Sequence, residues 1–213
     1  EPAAAAEALS PPAGCDRLRV WHLAAHHGGA AYMGRRSSAI LADNVRIDAN
    51  VSSAAASVGC DRMLYASSVA VYPTTTGNGR MGEDDALPAM PQGEYGWAKL
   101  TGERLVAGVS EPRIARLENC YGPPTVDAEQ DGVLAGLCRR AATAPEGGVL
   151  EVWGDLDTER AFLWVDDAVR ALITIMASDR REPVNVTSGE YVTIGHAAEV
   201  VRDASGKDLR IRP

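Results

Sequence analysis

Tyr95 and Lys99 stand four residues apart in the run Glu94-Tyr95-Gly96-Trp97-Ala98-Lys99. On a helix that spacing places two side chains one above the other on a single face. A lysine ammonium beside a phenol favours the phenolate, so such a tyrosine can serve as a general base near neutral pH. The spacing alone is common, and a half-buried tyrosine beside a solvated lysine accounts for most instances of it. It gains weight from the upstream run Leu64-Tyr65-Ala66-Ser67-Ser68-Val69-Ala70-Val71-Tyr72, an apolar strand that ends in a hydroxyl pair. A serine there is well placed to hydrogen-bond a substrate oxygen, which makes Ser68, Tyr95 and Lys99 the candidate catalytic groups.

These groups need an α/β framework to hold them. An Ala-rich helical segment covers residues 3–9, and Pro11 to Gly14 break it. Leu18 to Ala25 has the apolar character of a buried parallel strand. The pattern of Ile40, Val45, Ile47, Val51, Ala54 and Ala55 predicts a helix over 38–57, carrying Asn44 and Asn50 and stopped by Gly59. Arg62 to Ser68 is the next strand, Glu94 to Val106 the helix that bears the Tyr-Lys pair, and Arg113 to Glu118 the strand after it. Pro73 to Pro91 reads as a loop over the site. Further on, helices are predicted from Val133 to Ala142, from Asp166 (with Asp166 as N-cap) and from Thr193 or Ile194 to Arg202. Short strands are predicted at Val149 to Trp153 and Pro183 to Val186.

With 213 residues the chain can bury one substantial core, or a core and a small lobe. A net charge of −8 argues against nucleic acid as the main partner. No apolar run approaches the roughly 18 residues that span a bilayer. The opening Glu1 to Glu7 lacks the basic start and apolar middle of a signal peptide. Cys15, Cys60, Cys120 and Cys138 form no CxxC motif and read as buried reduced thiols. His26 and His27 lack the further ligands a metal site needs, so no metal is expected. Either imidazole could still act as an acid or base.

Ser68, Tyr95 and Lys99 together resemble the Ser-Tyr-Lys triad of the extended short-chain dehydrogenase/reductases, the nucleotide-sugar epimerases and dehydratases. Several motifs carry the resemblance in order: HLAA at His22 to Ala25, Gly28-Gly29, YASSxxxYP ending at Pro73, YGxxK, RxxNxYGP from Arg116 to Pro123, WGD at Trp153 to Asp155, and REPVN at Arg181 to Asn185. Within the group the chain is most similar to the GDP-mannose 3,5-epimerases. The resemblance implies a Rossmann-type doubly wound parallel sheet, with a dinucleotide-binding core in residues 1–122 and part of a smaller C-terminal substrate lobe in 123–213. It implies NAD as cofactor, with NADP left open, near Ala24, Ala25, Ser67, Tyr95 and Lys99. A nucleotide-sugar substrate would meet Gly28, Gly29, Asn119, Arg140 and Arg160, in a cytoplasmic homodimer with no nucleic-acid or membrane partner. The activity implied is epimerisation through a transient 4-keto sugar. A dehydratase, a 4-ketoreductase and a non-catalytic nucleotide-binding relative are the alternatives.

Two departures from the family pattern bear on that activity. No GxGxxG-type turn precedes the HLAA strand, so by comparison the segment holding the pyrophosphate is expected upstream of Glu1, and a C-terminal segment beyond Pro213. Val69 and Ala70 replace the Asp-Glu pair of the dehydratases, while Ala70 and Gly132 replace the cysteine and lysine of the 3,5-epimerases. Proton transfer at carbons 3, 5 or 6 would then call on His26, His27, Cys120, Asp127, Glu129 or Asp131. Epimerisation at carbon 4 needs no such pair.

Overall fold

The computed structural model describes residues 2–74, 80–123 and 132–213. In chain order the elements are α1 (Pro2–Leu9), β1 (Arg19–His22), α2 (Ala30–Arg35), α3 (Ser37–Ser57), β2 (Arg62–Ser68), α4 (Gly93–Val106), β3 (Pro112–Leu117), β4 (Asn119–Tyr121), α5 (Val133–Thr143), β5 (Val149–Glu151), β6 (Glu159–Trp164), α6 (Val165–Ala177), β7 (Val184–Val186), β8 (Tyr191–Thr193), α7 (Ile194–Ser205) and β9 (Arg210–Arg212). Short 3-10 turns occupy Val69–Val71 and Glu83–Ala86. The chain divides into two compact units.

The first unit comprises residues 1–27, 33–118 and 166–186. Its sheet has the order β1-β2-β3-β7, and all its pairs are parallel. A central parallel strand must be apolar on both faces, and β2 is buried along its length except at its two ends. Val20, Met63 and Tyr65 of the sheet pack with Ala55, Cys60, Val106 and Val109, which closes one face under the ends of α3 and α4. Helix α3 runs without Gly or Pro and is released by Gly59, whose φ of +67° suits a residue lacking a side chain. Helix α6 buries Ala168, Leu172, Ile175 and Met176, the i, i+4 stripe of an amphipathic helix.

The second unit comprises residues 28–32, 119–165 and 187–213. It pairs β4 and β6 in parallel, β6 and β8 antiparallel, and β5 with β9. Leu137, Ala141, Leu150, Val152, Ile194, Ala198 and Leu209 form its core. Helix α7 opens on Thr193, whose hydroxyl accepts from the His196 N–H, and closes on Gly206 in the left-handed conformation.

Several expectations need correction. The strand expected over 18–25 spans only Arg19–His22, which leaves Ala24 and Ala25 in the loop beyond it. The strand expected to reach Trp153 stops at Glu151, and Trp153 is 71% exposed. Asp166 lies inside the first turn of α6 and is not its cap. Helix α7 runs on to Ser205, and a strand, β9, follows it. Strands β4, β6 and β8 were not predicted; each has only three to six residues and gains its regularity from pairing with the others. Cys60 is buried as expected, but Cys15, Cys120 and Cys138 are exposed. No described helix is long and apolar enough to cross a membrane.

Candidate active site

Strand β2 delivers Ser67 and Ser68 at its carboxyl end, the edge at which open α/β sheets bind ligands. Helix α4 lies against that end because Gly96 permits it. A Cβ at Gly96 would stand 2.2 Å from the Ala70 carbonyl oxygen and 2.9 Å from Pro91 Cβ. The close approach turns Lys99 inward, where it is 3% exposed and its Nζ donates to the Ala66 carbonyl oxygen at 2.8 Å. The ammonium sits 4.7 Å from the centroid of the Tyr65 ring and 5.8 Å from that of Tyr95. Burial lowers the Lys99 pKa, against which the Asp48 and Glu103 carboxylates pull upward.

Tyr95 is half-buried at the start of α4. Burial first, and the Asp48 charge second, push its phenol up to about 12. This reverses the direction expected from a neighbouring lysine, because burial penalises the phenolate, the Lys99 amine is directed at a backbone carbonyl, and an acid stands nearby. His27 lies against the Tyr95 ring, with centroids 5.0 Å apart and planes at 66°. Loss of water around the imidazole, and then the Lys99 charge, lower the His27 pKa, although the residue as a whole is exposed. Ser68 Oγ accepts from the Ala70 N–H and caps the 3-10 turn, which leaves its own O–H free to donate.

Ser67 is turned away from this group: it is 3% exposed and donates to Glu103 Oε1 at 2.5 Å. That hydroxyl belongs to an internal network with Glu103 and Arg116. Ala24 is exposed and Ala25 half-buried, so the loop after β1 presents backbone and methyl groups alone. Asn44 secures that loop, accepting from the His26 N–H at 2.7 Å and donating to the His26 carbonyl at 2.9 Å. His26 Nδ1 meets Asp43 Oδ2 at 2.9 Å.

The expected substrate contacts, Gly28, Gly29, Asn119, Arg140 and Arg160, belong to the second unit. Gly28 is buried, and a Cβ there would fall 2.4 Å from Tyr32 Cδ1. Asn119, a strand residue of β4, donates from Nδ2 to the Ala161 carbonyl at 3.0 Å. Arg140 donates from Nε to the Glu151 carbonyl at 2.8 Å and lies 4.9 Å over the Trp153 ring. Arg160 is exposed and donates to its neighbour's carbonyl. Asp127, Glu129 and Asp131 lie outside the described residues. Among the described residues no cluster of metal-ligating side chains occurs.

The buried residue that the sequence reading missed is Asp48. Its Oδ1 meets His22 Nε2 at 2.8 Å and its Oδ2 accepts from Tyr65 Oη at 2.7 Å. A signal for it exists in the sequence: Ile40, Asn44, Asp48 and Ser52 recur every fourth residue and share the buried face of α3.

A parallel sheet bearing a serine at one strand end and a Tyr-Lys pair on the following helix is a Rossmann-type α/β arrangement. Residues 17–188 match the NAD dependent epimerase/dehydratase family, and the chain belongs to it. It is 37% identical over 202 residues to GDP-mannose 3,5-epimerase of Arabidopsis thaliana, an alignment that covers 90% of this chain and 53% of that protein. The chain thus spans about half the length of the epimerase relatives it matches. Among solved structures, UDP-glucose 4-epimerase of Thermotoga maritima with UDP-glucose superposes with a TM-score of 0.78 at 22% identity, covering 92% of this chain and 64% of that one. MoeE5 in complex with UDP-glucose and NAD superposes with a TM-score of 0.77 at 26% identity, covering 98% and 68%.

Proposed function

We propose that this chain carries the catalytic side chains of an NAD(P)-dependent nucleotide-sugar epimerase that works through a transient 4-keto sugar. The observation that carries the reading is the buried Lys99 ammonium held beside the Tyr95 ring at the carboxyl end of β2. The donor set fits a dinucleotide: among the described residues Lys99 Nζ meets one hydrogen-bond acceptor, Ala66 O, so two of its three N–H groups remain for a ribose diol. Ala24 and Ala25 leave room for a flat ring to approach the backbone. Bound there, a nicotinamide supplies the acceptor, and later the donor, of a hydride.

In this reading Tyr95 takes the proton of the sugar 4-hydroxyl as that carbon is oxidised and returns it after the keto sugar has turned over. Ser68 donates its O–H to the same oxygen and fixes its position. Lys99 orients the cofactor ribose and carries the positive charge that a developing phenolate needs. A phenol near 12 is a poor base at neutral pH, so the positive charge that an oxidised nicotinamide would bring has to add to that of Lys99 before Tyr95 can take a proton. Val69 and Ala70 hold no proton, which favours chemistry at carbon 4 over dehydration. Gly28, Gly29, Asn119, Arg140 and Arg160 are the proposed substrate-side residues. The same reading places the protein in the cytoplasm as a homodimer, and its free cysteines suit reducing surroundings.

The test is incubation of the complete polypeptide that contains this sequence with NAD and GDP-mannose, then UDP-glucose, following sugar isomers by NMR. Isomer formation that falls by about two orders of magnitude or more in Tyr95→Phe supports the reading. Tight nucleotide-sugar binding without any isomer, in a protein saturated with NAD, would replace it with a binding role.

A further inference from the structure

Beneath the Tyr95-Lys99 pair lies a second layer of polar groups that the reaction does not touch. Asp48 and His22 are 1% and 3% exposed, Asp48 joins His22 on β1 to Tyr65 on β2, and the Lys99 ammonium lies over the Tyr65 ring. The space for this arrangement comes from α4 itself. A Cβ at Gly102 would stand 2.2 Å from Tyr65 Oη and 2.4 Å from Asp48 Oδ2. An ionised carboxylate so deep in a protein is costly unless something nearby repays its desolvation. Two hydrogen bonds, from the His22 ring and the Tyr65 hydroxyl, do part of that work.

We propose that Asp48 is a positioning residue for the Tyr95-Lys99 pair: pinned by His22 and Tyr65 in the space Gly102 leaves, its carboxylate supplies the counter-charge that lets Lys99 remain an ammonium in the core. The catalytic consequence rests on the function proposed above; the charge linkage itself does not. The groups around Lys99 are His27 from the loop after β1, Asp48 from α3, Tyr65 and the Ala66 carbonyl from β2, and Tyr95 and Glu103 from α4, with His22 of β1 bonded to Asp48 behind them. Of these, Asp48 and Glu103 raise the lysine's proton affinity and burial lowers it. Glu103 is already paired with the Arg116 guanidinium and bonded by Ser67, which leaves Asp48, held by the His22 ring and the Tyr65 hydroxyl, as the carboxylate with no guanidinium partner among the described residues. Burial first and Asp48 second raise Tyr95, so the phenol keeps its proton beside the ammonium.

The chain has only two lysines, Lys99 and Lys207. Lysine labelled with 13C at Cε follows both, their signals being assigned from Lys99→Arg and Lys207→Arg variants. Lys207 donates to the carbonyls of Ala141, Ala142 and Ala144 in the other unit and serves as internal reference. Titration between pH 6 and 11 is expected to show the Lys99 midpoint in Asp48→Asn about 1 unit below wild type, a tenfold loss of proton affinity, with Lys207 unmoved. His22→Gln keeps the Asp48 charge and should leave Lys99 within about 0.3 unit. Should Asp48→Asn not fold, Asp48→Ser, also uncharged and smaller, takes its place. A Lys99 midpoint unchanged in the uncharged variant, or one lowered equally by His22→Gln, overturns the proposal. Because the measurement uses no sugar, a shifted Lys99 in an inactive protein would sink the epimerase reading and leave this linkage standing.

Discussion

Arg116 should be the most sensitive single position in the first unit. It is 4% exposed on β3, and its guanidinium meets Glu103 of α4 in a fork, Nε to Oε1 at 2.9 Å and Nη2 to Oε2 at 2.8 Å. Its Nη1 donates to Tyr72 Oη at 2.9 Å and to the Glu83 carbonyl at 2.7 Å. Tyr72 in turn donates to Asn185 of β7, so one side chain ties β3 to α4, to the segment after β2 and to the next strand. Arg116→Met keeps most of the apolar volume but leaves Glu103 buried, with the Ser67 hydroxyl as its remaining donor among the described residues. Removing one partner of such a pair costs about 3–5 kcal/mol, against a whole-domain stability of about 5–15 kcal/mol. Urea unfolding measures it, followed by Trp21 and Trp97 fluorescence in a Trp153→Phe, Trp164→Phe background so that only the first unit reports. Adding Glu103→Gln should recover part of the loss, with a coupling of about 2 kcal/mol in the double-mutant cycle. A cost below about 1 kcal/mol, the size of an exposed ion pair, or strictly additive effects, would refute the idea that this pair acts as an isolated buried unit.

Two further outcomes follow from the geometry around Tyr95. Gly96→Ala places a methyl against the Ala70 carbonyl, a backbone atom that cannot swing aside. It should destabilise by about 1–3 kcal/mol despite alanine's helix propensity, whereas Gly34→Ala, with nothing within 4 Å of its new Cβ, should be neutral or stabilising in the same thermal melt. Alkaline stability is the other. The Tyr95 phenol releases its proton near 10 when unfolded and near 12 when folded, so the folded state binds the proton more tightly. That contribution is complete below pH 10 and is lost as pH rises toward 12. Tyr95→Phe should therefore lose less stability than wild type between those values in urea melts, and equal losses would show that the phenol is not perturbed.

The parts of this molecule legible in its sequence are those set by local pattern. β2 falls where an apolar run is bounded by Arg62 and Ser68, α4 where the Tyr-Lys spacing requires it, and the end of α3 where Gly59 supplies a left-handed residue. The short strands β4, β6 and β8 were missed because three-residue segments such as Asn119 to Tyr121 carry no periodicity of their own and are defined by their partners. Ser67 illustrates the same limit within the site. Its neighbour Ser68 differs from it only by the strand's alternation, yet one hydroxyl enters the Glu103-Arg116 network and the other stays at the ligand edge.

The charge state of the Tyr-Lys pair is harder still to read from residue types. Spacing alone puts an amine beside a phenol and suggests a lowered tyrosine pKa. In the fold, Lys99 spends a hydrogen bond on the Ala66 carbonyl, and burial, joined by Asp48 from 47 residues before Tyr95 in the chain, pushes the phenol the other way. The i, i+4 row of Asn44, Asp48 and Ser52 marks α3 as a helix with a polar stripe, and only packing against β1 and β2 reveals that the stripe is buried under the site. If that layer governs the resting protonation of the pair, replacing Asp48 should alter the pH dependence of any reaction the complete protein catalyses, in the same direction as it moves Lys99. A variant that lowers the Lys99 midpoint while leaving the pH profile of turnover in place would separate the two and show that Lys99 is not the charge Tyr95 depends on.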